Sequence, residues 1–147
     1  EDQGLQADTV LIAVGGGGLI GGAMAWLEGR CKVIGVEPFN APTLTKALQS
    51  GPQTTVDVSG IAANALGAKQ VGRICYDLAM ETGTKCVNVE DDAIAKAQLL
   101  LWENLRQLVE PAGATALAAL LCGAYVPQQG ERVAVLLCGA NPAVSPF

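Results

Sequence analysis

The chain has 147 residues, of which half are hydrophobic and 16% are charged, a composition typical of one globular domain and unlike that of a disordered or fibrous chain. Nine Lys and Arg residues, scattered singly, stand against fourteen Asp and Glu, so the net charge of -5 offers no basic patch to nucleic acid or anionic lipid. Apolar runs end before the ~20 residues that a membrane helix needs, and no basic and apolar leader precedes residue 10. We expect a cytoplasmic domain with neither a nucleic acid nor a membrane partner.

Four apolar runs rich in β-branched residues occur along the chain, at residues 9–14, 32–36, 85–89 and 132–137. Continuous runs of this kind are typical of strands buried on both faces, as in a parallel sheet. Helical patterns lie between them, so right-handed helical crossovers are expected to join the strands. The sequence predicts an α/β fold with an open, doubly wound, mostly parallel sheet of about four strands and flanking helices, and residues 1–147 as a single domain.

Two amphipathic helices are predicted from apolar residues at positions i, i+3, i+4 and i+7. The first contains Val71, Ile74, Cys75 and Leu78. The second follows acids at residues 90–92, which the positive end of a helix favours. It contains Ile94, Ala97, Leu101, Leu105 and Leu108. A third, Ala-rich helix is expected from Pro111 to Gly123, because proline is tolerated at a first helical position. The segment 51–66 is expected to be a surface loop.

Five cysteines are spread along the chain without a Cys-x-x-Cys pair, and histidine is absent. A zinc site, which takes Cys and His ligands, is therefore poorly supplied. The cysteines stand within apolar runs and are odd in number, which predicts mostly buried, reduced thiols at Cys31, Cys75, Cys86, Cys122 and Cys138.

Six glycines lie within residues 14–22, directly after the first predicted strand and at the start of a helix. A flexible linker would have polar neighbours, and here the neighbours are apolar. Gly21 and Gly22 are interpreted as letting the helix pack closely on the sheet. The consecutive glycines 15–18 need another reason, since each carries a backbone entropy cost. Their N–H groups can point into one concavity at a helix N-terminus, which predicts an anion site, most readily for phosphate.

Two phosphate ligands fit this loop on pattern alone. Residues 16–21 satisfy Gly-x-Gly-x-x-Gly, and Glu37 ends the next predicted strand about where a dinucleotide-binding domain has an acid for ribose hydroxyls. Four adjacent glycines also satisfy many patterns by chance, and such a run supplies several neighbouring amides to a single phosphate monoester. A Rossmann-type dinucleotide domain stays open as an alternative at this point.

Five separated motifs resemble, in order and approximate spacing, those of pyridoxal-phosphate-dependent threonine and serine dehydratases: VGGGGLIGG at 14–22, VIGVEP and APTL at 33–38 and 41–44, GIA and LG at 60–62 and 66–67, LVEPAGA at 108–114, and VLLCGAN at 135–141. The resemblance covers nearly the whole chain. It implies the tryptophan-synthase-β-like fold (fold type II), with this chain similar to the C-terminal part of the large domain. It also implies pyridoxal phosphate as the cofactor, its phosphate held by Gly15, Gly16, Gly17 and Gly18 and the amide of Leu19.

The same resemblance gives roles to residues outside the loop. Cys138 matches the Ser, Thr or Cys that faces the pyridine nitrogen in this family, and a neutral thiol there leaves the ring a weaker electron sink than a carboxylate would. Glu110 matches a residue near the cofactor ring. The family's divalent-cation ligands fall at Glu37, Ala41 and Thr43, and the lack of an aspartate at 43 removes a hard oxygen ligand, so no metal is expected.

Other positions depart from the family pattern. Asn64 stands where many relatives have an acid, and Ala140 stands where the last glycine of a Cys-Gly-Gly-Asn or Ser-Gly-Gly-Asn turn is usual. The family's Schiff-base lysine lies in a Ser-x-Lys motif well upstream of the tetraglycine segment, and none of the five lysines here has that context. We therefore expect a chain with a phosphate cradle and no catalytic residue.

The resemblance implies conversion of threonine or serine to a 2-oxo acid and ammonia as the parent reaction, without choosing between the two substrates. The chain is expected to be inactive alone. It is expected to pair with a complementary N-terminal half or to form a homo-oligomer, since a truncated sheet exposes an edge and an apolar face. A non-catalytic module that binds phosphate or the cofactor, or only self-associates, is the alternative.

Overall fold

A computed structural model describes residues 6–139. The described residues form one parallel sheet of four strands in the order β3-β2-β1-β4. The strands are β1 (Thr9–Ala13), β2 (Lys32–Pro38), β3 (Lys85–Val89) and β4 (Val133–Val135). The predicted α/β class and parallel sheet are confirmed, although β4 is shorter than the predicted run 132–137. Because all four strands are parallel, their carboxyl ends lie along one edge of the sheet, called the carboxyl edge below.

Helices connect and flank these strands. They are α1 (Gly18–Leu27), α2 (Thr43–Ser50), α3 (Ala63–Leu66), α4 (Arg73–Thr82), α5 (Asp91–Leu100) and α6 (Pro111–Leu121), with a π-helical turn at Leu101–Leu105. The sequence patterns did not predict α2, and α3 interrupts the segment 51–66 that was expected to be a loop. None of the described helices has the length and apolar character to cross a membrane.

Side chains of β1 alternate between two cores, one on each face of the sheet. Leu11 and Ala13 pack with residues of α5 and α6, whereas Ile12 and Val14 pack with residues of α1, α2 and α4. Side chains of a strand alternate in this way because the pleat has a period of two residues. Helices therefore cover both faces, as a doubly wound sheet requires.

The second predicted helix ends earlier than expected. Its regular part stops at Leu100, and the π-helical turn follows until Arg106 adopts a left-handed backbone with φ 55°. The Arg106 guanidinium donates to the carbonyls of Trp102 and Glu103, as cationic side chains near helix C-termini commonly do. The prediction that the helix continues to Leu108 is wrong, because this left-handed residue turns the chain away.

The buried stripe of α4 also differs from the predicted one. Val71, Cys75 and Ala79 are buried at spacings of four residues, whereas Ile74 is 77% exposed. Ile74 lies beside this stripe rather than within it. The expectation of mostly buried thiols is correct only for Cys75: three other cysteines are half-buried and Cys122 is exposed, although all five are free thiols.

Candidate functional site

The tetraglycine loop, Gly15 to Gly18, connects β1 directly to α1 at the carboxyl edge. Gly17 has a left-handed backbone with φ 88°. A Cβ atom at Gly17 would lie 2.6 Å from Cys75 Sγ and 2.9 Å from Val71 Cγ2. Both the backbone and the space therefore demand glycine at this position, which explains at least one member of the run in purely structural terms.

Adjacent amides of this loop are left open. The N–H of Gly21 donates to the Gly17 carbonyl at 2.9 Å and is the first amide after Val14 to have a backbone acceptor. Within residues 6–139, the N–H groups from Gly16 to Leu19 have no acceptor. They lie at the N-terminus of α1, a helix of 10 residues whose dipole adds partial positive charge there. This donor set fits a phosphate monoester, which offers three acceptor oxygens and negative charge.

The loop is enclosed on one side by the segment that contains α3. A Cβ atom at Gly15 would lie 3.0 Å from Leu66 Cα, and one at Gly16 would lie 3.6 Å from Ala68 Cβ. The N–H of Gly72 donates to the Gly16 carbonyl at 2.9 Å. At Gly18 a Cβ atom would meet nothing within 4 Å. The loop is thus held from one flank and open at the position where the helix begins.

Gly21 and Gly22 were predicted to let α1 pack closely on the sheet. Gly21 is buried, but its neighbour is α4: a Cβ atom there would lie at an ordinary 3.5 Å from Cys75 Cα and Cβ. Gly22 is exposed and faces open space. The packing explanation is therefore wrong for Gly22, and for Gly21 it concerns a helix rather than the sheet.

Cys138 and Glu110 meet at the carboxyl end of β4. The N–H of Cys138 donates to the Gly113 carbonyl, and the N–H of Glu110 donates to the Gly139 carbonyl, both at 3.4 Å. Strand β4 pairs with β1 through Leu11 and Val135. The same register continued along both strands brings Cys138 beside Val14, the residue before the tetraglycine loop. The structure thus brings the predicted ring residues and the predicted phosphate residues to neighbouring strand ends.

Gly113 is a close-packed position beside Cys138 that the sequence reasoning missed. A Cβ atom there would lie 2.8 Å from the Cys138 carbonyl oxygen and 2.9 Å from that of Gly139. Glycine at 113 lets the first turn of α6 touch the end of β4 and so sets the distance between Glu110 and Cys138. The signal in the sequence was the glycine two residues after Pro111, inside a helix where glycine is otherwise unfavourable.

The thiols at this edge are held in the neutral form. Burial, and next the charge of Glu110, raise the pKa of the Cys138 thiol. Burial, and next the charge of Glu37, raise the pKa of Cys75 to about 11. A neutral thiol can donate or accept a weak hydrogen bond but does not act as an ionised nucleophile at neutral pH.

Glu37 is fully buried at the end of β2, and its carboxylate is committed within the protein. Its oxygens accept hydrogen bonds from the N–H of Leu44 at 2.7 Å, the N–H of Thr45 at 2.8 Å and the Thr45 hydroxyl at 2.6 Å. The carboxylate therefore caps the N-terminus of α2 in place of the usual capping side chain. Burial raises its pKa against the lowering effect of these hydrogen bonds. Ala41, the other family metal position, is also buried.

No cluster of three or more potential metal-ligating side chains occurs in the described part of the chain. Asn64 lies on α3 with an exposed side chain, and Ala140 lies outside the described residues.

Comparisons with known proteins identify the family. The model of the family described as pyridoxal-phosphate dependent enzyme matches residues 1–139. Phenylserine dehydratase of Ralstonia pickettii is 36% identical over 143 residues, which make up 95% of this chain and 44% of that protein. The crystal structure of a T.th. threonine deaminase superposes with a TM-score of 0.81 at 31% identity, covering 99% of this chain and 48% of that one.

The processed form of threonine deaminase isoform 2 from Solanum lycopersicum superposes with a TM-score of 0.86 at 29% identity, over 97% of this chain and 40% of that one. This chain thus spans less than half the length of these relatives. Pyridoxal phosphate is the cofactor that the family implies, and the open amides of the tetraglycine loop fit its phosphate group. The chain belongs to the pyridoxal-phosphate-dependent enzymes, with the fold of the threonine and serine dehydratases that its motifs predicted.

Proposed function

We propose that this chain is the phosphate-holding part of a dehydratase that removes water and then ammonia from threonine, serine or a related β-hydroxy amino acid. The observation that carries the proposal is the row of open N–H groups from Gly16 to Leu19 at the N-terminus of α1. Gly15 contributes by lying close against Leu66, which fixes the start of the loop. When bound, the cofactor supplies an electron sink for negative charge at the α-carbon of the substrate.

The remaining roles fall to residues at the end of β4. Cys138 would lie beside the ring nitrogen of the cofactor as a neutral thiol that does not hold a proton on it, and this would favour prompt loss of the β-hydroxyl group. Glu110 would border the ring, and its charge adds to the burial that raises the pKa of the Cys138 thiol and keeps it neutral. Gly113 sets the spacing between the two.

We infer that the chain alone does not catalyse the reaction. Its lysines all have exposed side chains, and they lie at Lys32, Lys46, Lys69, Lys85 and Lys96. Lys32 and Lys85 begin β2 and β3 and so lie at the edge of the sheet opposite the tetraglycine loop. The reaction needs a lysine near the substrate α-carbon. In this proposal a complementary N-terminal half supplies that lysine.

The alternative of a dinucleotide domain has less support. Such a domain uses an acid after the second strand to bind the ribose hydroxyls. The corresponding Glu37 is buried, and both of its oxygens accept hydrogen bonds from α2. The other alternative is a non-catalytic module, which binds the cofactor or only associates with copies of itself. This alternative requires no complementary half.

A binding experiment with two variants of one residue tests the proposal. Leu19→Pro removes one open N–H at a first-turn position where proline is tolerated, whereas Leu19→Ala keeps it. We expect Leu19→Pro to raise the Kd for pyridoxal phosphate about tenfold, which is the worth of one hydrogen bond to a charged group. Leu19→Ala stays near the wild-type value. Equal affinities for the two variants would contradict the proposed cradle.

The ligand and the missing lysine are tested on the same samples. The wild-type chain is expected to change the visible absorbance of pyridoxal phosphate without forming a bond that borohydride reduces. A reducible bond at one specific lysine would overturn the claim that the catalytic lysine is missing. Strong enhancement of NADH fluorescence without pyridoxal phosphate binding would favour the dinucleotide domain instead.

A further inference from the structure

Asp91, the first residue of α5, contacts a turn from a distant part of the chain. Its Oδ2 accepts a hydrogen bond from the N–H of Ile61 at 3.1 Å. A Cβ atom at Gly60 would lie 2.7 Å from Oδ2 and 2.8 Å from Oδ1, so the Gly60 Cα–H that it would replace points at both carboxylate oxygens. Gly60 itself has φ 88°. The carboxylate thus fits against a turn that only glycine can form.

This turn leads directly to the wall of the tetraglycine loop. Ala62 is buried, and its carbonyl accepts the N–H of Leu66 at 2.9 Å in the single turn of α3. The Cα of Leu66 is the atom that a Cβ at Gly15 would approach to 3.0 Å. Asp91, Ile61, Leu66 and Gly15 therefore form one continuous path of contacts from β3 to β1 along the carboxyl edge.

The carboxylate of Asp91 destabilises the fold in one respect, and its contribution to the stability of α5 is not a sufficient reason for its presence there. Its Oδ1 is buried and has no hydrogen-bond partner among residues 6–139. A buried acceptor without a partner destabilises the folded state, because it has lost its hydrogen bonds to water. An acid in the first turn of α5 gains from the helix dipole, but the exposed Asp92 supplies the same gain without this cost. The contact with the turn at 60–61 is what distinguishes Asp91 from its neighbour.

We propose that Asp91 is a positioning residue for the phosphate cradle: it holds the Gly60–Ile61 turn so that α3 supports Gly15 and the open amides behind it. The effect on ligand affinity rests on the proposed function, because it assumes that the tetraglycine loop binds phosphate. The effect on loop geometry does not rest on it and is measured on the ligand-free chain.

The experiment compares four variants of the 147-residue chain: Asp91→Ala, Asp91→Asn, Asp92→Ala and Asp92→Asn. Amide resonances of Gly15 to Gly18 are recorded without ligand, and the Kd for inorganic phosphate is then measured by calorimetry. Asp91→Ala is expected to shift the Gly15 and Gly16 resonances and to raise the Kd about tenfold, the worth of a hydrogen bond to a charged group. Asp91→Asn keeps an acceptor for Ile61 and stays within about twofold of wild type. Both Asp92 variants leave the resonances and the Kd unchanged.

A merely structural role gives a different result. If Asp91→Ala lowers the free energy of unfolding but leaves the glycine resonances at their wild-type positions, the proposal is wrong. If the wild-type chain binds no phosphate, the proposed function fails, and the ligand-free resonances alone decide the role of Asp91. Should Asp91→Ala not fold, Asp91→Ser replaces it, because serine suits the start of a helix and is too short to reach Ile61.

Discussion

The tetraglycine loop and strand β4 lie side by side on the same sheet but are enclosed to very different degrees. Contacts from α3, from α4 and from the residues between these two helices hold the loop, and Gly15 and Gly17 are buried. Among the described residues, strand β4 pairs with β1 alone, and its residues are all half-buried although they are apolar. Beside it lies a groove of about 490 Å³ lined by Val10, Ile12, Trp26, Ala134 and Leu136.

The enclosed loop and the exposed β4 side are expected to depend on different contacts. The proposed phosphate cradle is supported by contacts within the described residues, from α3 and α4. The β4 side has a largely apolar groove with Trp26 68% exposed and Leu136 37% exposed, next to the strand edge at which the described part of the sheet ends. Edges and apolar patches of this kind are normally covered in folded proteins. The cradle should therefore respond to mutations within the chain, and the β4 side to association.

Substitution at Gly17 is expected to have the largest effect. Gly17→Val places a side chain against Cys75 and forces a β-branched residue to φ 88°. Strain and overpacking together should lower the free energy of unfolding by about 3 kcal/mol or more, as measured by urea denaturation. Gly22→Ala is the control: it faces open space in the same helix and should stabilise the chain by up to about 1 kcal/mol. A tolerated Gly17→Val would show that the loop is not enclosed.

Substitution of Glu37 tests how far the fold depends on the buried carboxylate that joins the end of β2 to the N-terminus of α2. Glu37→Gln keeps the size of the side chain but replaces one acceptor oxygen by an N–H₂ group. This group faces an N–H donor at the start of α2, which thereby loses its acceptor. We expect the free energy of unfolding to fall by about 2 kcal/mol, the cost of buried unsatisfied polar groups. Glu81→Gln, on the exposed side of α4, should change it by less than about 0.5 kcal/mol. Equal effects would mean that Glu37 contributes only as a surface residue does.

The groove beside β4 is tested through association. Leu136→Glu places a charge beside the apolar groove and should weaken self-association, or pairing with an N-terminal half, about tenfold, since burying an unpaired charge is costly. Sedimentation velocity over a concentration series measures the change. Ile74→Glu alters an equally apolar but separate surface on α4 and should leave association unchanged. If Ile74→Glu has the larger effect, the interface lies on the α4 side.

The smallest effect on stability is expected from substitution of Glu131, which lies just before β4. Glu131 accepts hydrogen bonds from the Thr9 and Tyr125 hydroxyls and from the Gln128 N–H. These hydrogen bonds lower the pKa of Glu131 to about 2, from the ordinary value of 4.5. A lowered carboxyl pKa stabilises the fold above the ordinary value, and this stabilisation is lost as the pH falls through about 2.

The prediction for Glu131 is a change of slope with pH. Glu131→Gln should flatten the loss of stability between about pH 4.5 and pH 2, measured by thermal unfolding at several pH values. Asp8, whose pKa is lowered to about 2 chiefly by hydrogen bonds to Arg132, keeps its own contribution in that variant. An unchanged slope in Glu131→Gln would assign the whole acid sensitivity of this region to other carboxyl groups.

The sequence predicted local features well where a run of one residue type indicates one kind of backbone structure. Continuous β-branched runs gave the parallel strands, and the tetraglycine run gave an open loop at the start of α1. The sequence did not predict α2, because its N-terminus is capped by Glu37 from another element rather than by a neighbour in sequence. Glu37 was considered as a ribose-binding acid in the dinucleotide alternative, and its actual hydrogen-bond partners in α2 become visible only in the fold.

Tertiary contacts also decided which glycines matter. Gly17 and Gly113 are required by atoms of Cys75 and Cys138, which lie far away in sequence, whereas Gly22 lies in the same run and faces open space. A run of glycines therefore indicates that close approach is needed but not which member needs it. The prediction that a helix reaches Leu108 was also wrong, because the apolar spacing continues in the sequence beyond Arg106, where the backbone turns away.

The central claim is that the open amides of the tetraglycine loop bind the phosphate of pyridoxal phosphate. It is tested most directly by titrating the ¹⁵N-labelled chain with pyridoxal phosphate and following backbone amide resonances. The account predicts that the largest shifts occur at Gly16, Gly17, Gly18 and Leu19, and that inorganic phosphate moves the same resonances. Saturable shifts confined to other residues, or no shifts at the loop, would contradict it.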